Sequence, residues 1–232
     1  MSNGSGGSTS YERYEVEGTD LSEVSDDIFD PAAGKGTLSR NGQRRFAGRT
    51  TFEFDHRSEW RFDAATQRIT IQIKEVVWTT KVRLPQWRRA QFQAAPANER
   101  REYRRFLAAL HRHELGHVYL YSFGMERVRA ALVDMPAGRT TIPAAKEPEF
   151  NTDGSPKTPE DKAIADAIDA AERRLVTEHA DFREMEQKQD RYEAAPADPN
   201  ADPDGVFAVE DPADQPNGTD NGRTQGAVLR PP

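Results

Sequence analysis

Between Phe46 and Leu84 the apolar residues recur at every second position. Phe52 and Phe54 alternate with polar partners, Trp60 and Phe62 do the same, and Ile69, Ile71 and Ile73 continue the pattern. A period of two sends successive side chains to opposite faces of a strand, so this run buries one face of a sheet and leaves the other wet. Near Lys74-Glu75 the phase slips and Val76, Trp78, Val82 and Leu84 take over, which predicts a β-bulge there. The run reads as an antiparallel meander of three or four strands, ending at Leu84-Pro85-Gln86-Trp87 because proline cannot continue a ladder.

Helical signals flank the meander. Tyr11 to Val16 reads as a short strand, followed by a helix with Leu21, Val24 and Ile28 on one face and Thr19 or Asp20 as its cap. A long helix is expected after Pro96, capped by Asn98, running through Phe106, Leu107, Leu110 and His113 to Tyr121. It is expected to bend or break at Gly124 and to resume to Met135-Pro136. Residues 136–160 hold five prolines and no periodicity, the pattern of a long loop, and a second helix runs from about Pro159 to about Tyr192. The predicted fold class is α+β, an antiparallel β-meander packed on two long helices.

Composition bounds the rest. Of 232 residues only 35% are hydrophobic, and two tails account for much of that deficit. Residues 1–10 are a Gly/Ser leader, expected to be disordered. Residues 194–232 carry −5 of the net charge of −7, and their part 194–216 reads as an acidic, Pro-rich disordered insertion. The folded domain is then 11–193, and it is nearly neutral. Such a body lacks the basic face that nucleic-acid binding needs, and the arginines between Arg100 and Arg112 are interleaved with Glu99, Glu102 and Glu114. With no cysteine there is no disulfide framework, no thiolate metal site and no cysteine nucleophile. No basic, then apolar leader and no run of 18 apolar residues is legible, so no membrane span is expected and the default location is the cytoplasm, unless export follows a non-Sec route. The segment Gly34-Lys35-Gly36-Thr37 lacks the contiguous Gly-Lys-Ser/Thr of a phosphate loop.

One segment carries chemistry: His113-Glu114-Leu115-Gly116-His117. On a helix, positions i and i+4 stack on one face, so both imidazoles can bind one metal ion, at about 2.0–2.1 Å for zinc. Glu114 is turned by about 100° from His113, beside the metal and not on it, where it can take a proton from an attacking water. Any metal here is held by His and carboxylate. A His pair merely satisfied within the helix is the plain alternative, but the pair continues the apolar stripe of Phe106, Leu110 and Tyr121, where ionisable groups are costly without a purpose. The longer motif with a third His does not apply, because Leu120 and Phe123 stand where it needs Gly and His.

The third ligand is sought on the second helix. Its stripe of Ile164, Ile168, Ala171 and Leu175 steps next to Glu178, ahead of Phe182, and a carboxylate on a core stripe asks for coordination. Glu178 is therefore the first candidate, the alternative being a helix rotated there so that Glu178 is a solvated side chain, with its neighbour His179 as a weaker candidate. His111 and His56 are expected at the surface. Tyr119, Tyr121 and Tyr192 are possible phenol donors to an oxyanion, or simply core.

Leu84-Pro85-Gln86-Trp87, Tyr103-x-x-Phe106, Leu110-x-x-His113-Glu114-x-Gly116-His117 and Gln189-x-x-Tyr192 follow one another in an order that resembles the bacterial secreted zinc-dependent proteases catalogued as domain of unknown function 922. The resemblance covers about residues 11–192. It implies a zincin-like metallopeptidase with one zinc ion and a peptide or protein substrate. In the family pattern Gln-x-x-Tyr-Asp is followed by Thr-x-His-Gly and Thr-Gln-Gly-Ala; here the match resumes at Thr219-Asp220-Asn221-Gly222 and Thr224-Gln225-Gly226-Ala227, with Asn221 in place of the His. Residues 217–232 are accordingly expected to fold back toward the site. The departure at Asn221 leaves two other readings in play: a catalytically degenerate zinc- or peptide-binding module, and an amidase acting on cell-wall peptide.

Overall fold

The computed structural model describes residues 6–30, 33–38 and 45–194. In chain order the elements are β1 (Gly7–Val16), α1 (Leu21–Phe29), β2 (Thr37–Leu38), β3 (Arg45–Phe46), β4 (Arg49–Asp63), β5 (Arg68–Trp87), α2 (Arg89–Ala94), α3 (Ala97–Leu132), β6 (Arg139–Pro143), α4 (Pro159–Thr177) and α5 (Ala180–Ala194). The class is α+β, with a four-stranded sheet and a helical layer against its buried face. No helix among the described residues is long and apolar enough to cross a membrane.

The alternating run forms one long hairpin, β4 and β5, and not a three- or four-stranded meander. Its bulge falls at the phase slip: Arg57 faces Glu75 and Ser58 faces Ile73, so Lys74 has no cross-strand partner. The extra residue is what lets Ile69, Ile71 and Ile73 and then Val76, Trp78, Val82 and Leu84 all be buried. Two further strands share the edge of β5 opposite β4. β1 runs parallel to Trp78–Trp87, and β6 antiparallel to Arg68–Gln72. β1 begins at Gly7, so the second half of the Gly/Ser leader is a strand, and β6 lies inside the stretch expected as a loop.

Pro85 does not end β5, and the reason is which way its nitrogen points. Trp78 N donates to Gly6 O at 2.9 Å and Arg88 N to Val16 O at 2.8 Å, so even-numbered residues here turn their N–H toward β1. Odd-numbered ones face β4, whose first residue, Arg49, pairs with Arg83. Pro85 therefore lacks a donor where no acceptor strand remains. Trp87 N, next on that side, donates to Tyr103 Oη at 3.0 Å and ties the strand end to α3.

Asp20 caps α1, accepting from Glu23 N at 3.0 Å. The first long helix follows Pro96 and passes straight through Gly124. Gly124 is there for close approach: a β-carbon on it would lie 2.5 Å from Met185 Cγ of α5. The second helix, by contrast, is two, α4 and α5, broken at Glu178-His179. Tyr121 stacks on Phe52 with ring centroids 4.3 Å apart, and Met125, Val128 and Leu132 continue this face of α3 against Ile73, Val76 and Trp78. The segments 194–216 and 217–232, with Asn221, lie outside the described residues except for Ala194 at the end of α5.

Replacing Gly by Ala inside a helix ordinarily gains about 1 kcal/mol. For Gly124→Ala the overlap with Met185 outweighs that gain, and a net loss of about 1–3 kcal/mol is expected, read as a lower urea midpoint at unchanged m.

Candidate metal centre

The segment His113–His117 lies on uninterrupted α3, so the two imidazoles do share a face. Their Nε2 atoms are 3.2 Å apart. The other ring nitrogen of His117 is fixed by α5: Nδ1 lies 2.6 Å from Gln189 Oε1, while Gln189 Nε2 donates to the His117 carbonyl at 2.9 Å. Because the amide nitrogen is committed to that carbonyl, its oxygen must accept from Nδ1–H. The Nε2 lone pair of His117 is thereby free and aimed.

Glu193, in the last turn of α5, places Oε2 3.1 Å from His117 Nε2. His113, His117 and Glu193 offer three ligand atoms within 4.8 Å of one another, and they are the one such group of His and carboxylate ligands among the described residues. Both partners thus lie 3.1–3.2 Å from His117 Nε2, and with all three ligand atoms within 4.8 Å of one another the group could hold one metal ion. Burial, and then the neighbouring His117, push the His113 imidazole below its ordinary value, which keeps it in the neutral form a metal needs. Glu193 itself is more than half exposed, so one side of the centre is open to solvent.

Glu114 lies against the start of β4, beside the His pair, and is almost fully buried. Thr50 Oγ1 donates to its Oε2 at 2.7 Å. Burial raises its carboxyl above the usual carboxylate range, and the Thr50 hydrogen bond works against that rise. Tyr192 completes the surroundings: its ring stacks on His113 at 5.0 Å and 14°, and its hydroxyl donates to the His113 carbonyl at 3.2 Å. Any β-carbon at position 116 would overlap the Tyr192 hydroxyl, so the glycine inside the motif is what admits α5.

The other sequence candidates fall elsewhere. Glu178 is a correction: it caps the C-terminus of α4, is more than half exposed, and pairs with Arg174 at 3.7 Å, apart from the His pair. The stripe that pointed to it assumed one continuous helix, and the break at Glu178-His179 ends that register. His179 instead accepts from Asp181 N at 3.3 Å in the first turn of α5. His111 is half-buried, edge-on to Tyr11 at 5.7 Å, and His56 is partly buried beside Glu172, so neither is fully exposed. Of the three tyrosines Tyr192 alone joins the centre; Tyr121 is core and Tyr119 is exposed. Glu193 and Gln189 were missed, yet a signal existed. Gln189, Tyr192 and Glu193 stand at i, i+3 and i+4 of one helix, hence on one face, and Glu193 occupies the acidic position of Gln-x-x-Tyr-Asp.

The chain belongs to the family described as "Bacterial protein of unknown function (DUF922)", whose pattern matches residues 11–195. No curated protein and no solved structure matches the chain.

In competition with a chelator, Gln189→Ala is expected to weaken metal affinity by about 10–100-fold through loss of His117 orientation. Glu193→Ala is expected to weaken it as well, while Glu178→Ala leaves it unchanged.

Proposed function

We propose that this protein is a zinc-dependent, zincin-like metallopeptidase, with His113, His117 and Glu193 holding one zinc ion and Glu114 as general base. One observation carries the reading: on a single turn of α3, two converging imidazole nitrogens have a surface carboxylate on one side and a buried carboxylate of raised proton affinity on the other. Zinc bound there would supply Lewis acidity toward a substrate carbonyl and would acidify water. Glu114 suits the proton work. Its carboxyl, lifted by burial toward working pH, can accept the proton of the attacking water and return it to the departing amine nitrogen. Thr50 holds one of its oxygens in place, and Tyr192 keeps the plane of His113 fixed by stacking and through the main chain. The exposed flank at Glu193 is where an extended peptide can approach.

Purified protein is expected to contain one zinc per chain by elemental analysis. Glu114→Gln should keep that zinc and lower the cleavage rate of a denatured protein substrate by about 10²–10⁴-fold. Stoichiometric zinc in a wild-type protein that cleaves neither proteins nor cell-wall peptides would favour a zinc-binding module without chemistry.

A further inference from the structure

Toward the other end of β4, roughly 26 Å from Thr50 to Ser58 at about 3.3 Å per residue, a concavity opens. It has a volume of about 420 Å³ and lies between the end of β4, the segment 150–156 and α4. Two of its walls are aromatic. Trp60 and Phe150 stand with ring centroids 6.4 Å apart and planes inclined by 42°, forming a corner, and Phe150 remains 37% exposed.

The polar side of the cavity is acidic. Asp166, Asp169 and Glu172 line it from successive turns of α4, against a single cation, Lys162. Lys162 is held by Asp166 at 2.7 Å, and Glu172 is held by Ser58 and by His56 at 3.4 Å. The Asp169 carboxylate has neither an ion pair nor a hydrogen bond among the described residues. The cavity therefore keeps uncompensated negative charge beside the exposed Phe150 ring and the partly buried Trp60 that lines it.

Each class of occupant can be tested against that arrangement. An anion is repelled. A purely apolar ligand gains nothing from three carboxylates and leaves them beside its own surface. A bare divalent ion needs converging oxygens, and these carboxylates are not among the residues that converge. A cationic head on an apolar neck satisfies both walls, because ring faces attract cations and the neck covers the apolar area.

We propose that this cavity binds an organic cation, the guanidinium or ammonium end of an arginine or lysine side chain, with Trp60 and Phe150 under the head group and Asp169 as its counter-charge. This reading is independent of the metal centre and stands or falls separately from it.

Tryptophan emission of the full-length protein reports on it directly, since Trp78 and Trp87 are buried and Trp60 lines the cavity. Titration with Nα-acetyl-arginine amide is expected to give a saturable change with a dissociation constant in the millimolar range. The neutral isostere Nα-acetyl-citrulline amide should bind at least about fivefold more weakly, the loss of one cation–π contact. Asp169→Asn should weaken the arginine probe by about fivefold, as for a partly exposed ion pair. Lys162→Gln should tighten it, because it removes the competing cation and releases Asp166. Both residues are exposed, so neither change threatens the fold. A response that does not saturate, equal binding of the citrulline probe, or an Asp169→Asn variant that binds as wild type overturns the proposal.

Discussion

Everything at the candidate site depends on how closely α5 lies against α3, and the interaction that records this closeness is the double hydrogen bond of Gln189 to His117. One side-chain amide takes both the ring Nδ1 and the main-chain carbonyl of the same residue. A buried amide with either end unmatched costs about 1–3 kcal/mol, so Gln189 tolerates no sliding of one helix past the other. The approach is possible because Gly116 and Gly124, two turns apart on α3, carry no side chain where Tyr192 and Met185 arrive. Once docked, α5 fixes the tautomer of one histidine, stacks on the second and delivers a carboxylate beside both.

The sheet sets the other half of the geometry. Bulging at Lys74 lets β5 present one continuous apolar face over twenty residues, and α3 lies on it through Tyr121, Met125, Val128 and Leu132. That contact fixes the rotation of α3 about its axis. Glu114, turned from the His pair, then meets the start of β4 and the Thr50 hydroxyl, away from bulk water. The same helix thus offers the two histidines to a more open surface and the glutamate to an enclosed one. Burial, by disfavouring the charged form, moves their proton affinities toward one another: His113 falls and Glu114 rises.

Local patterns were legible wherever a single element decided the outcome. The period of two and its slip marked the hairpin and its bulge, the spacing of His113 and His117 marked a shared helix face, and the cap of α1 stood in the sequence as Thr19 or Asp20. Misreadings came where a neighbour decides. Pro85 looked like a terminator until β4 was seen to end before it, Gly124 looked like a hinge until Met185 filled its place, and the Gly/Ser leader carried no apolar signal because β1 is held at an edge largely by its backbone. Glu178 failed for a related reason: a helical stripe extrapolated through a break loses its register.

By itself, then, the sequence determined the α+β class, the half-buried strands, and the placing of His113 and His117 on one helix face with Glu114 turned from them, because these follow from periodicities within one element. Which carboxylate joins the two histidines, which nitrogen of His117 is free, and how far Glu114 is removed from water were decided only in the tertiary structure. Those depend on the distance and rotation between α3, α5 and the sheet, and such relations between elements far apart in the chain leave no period for a sequence to show.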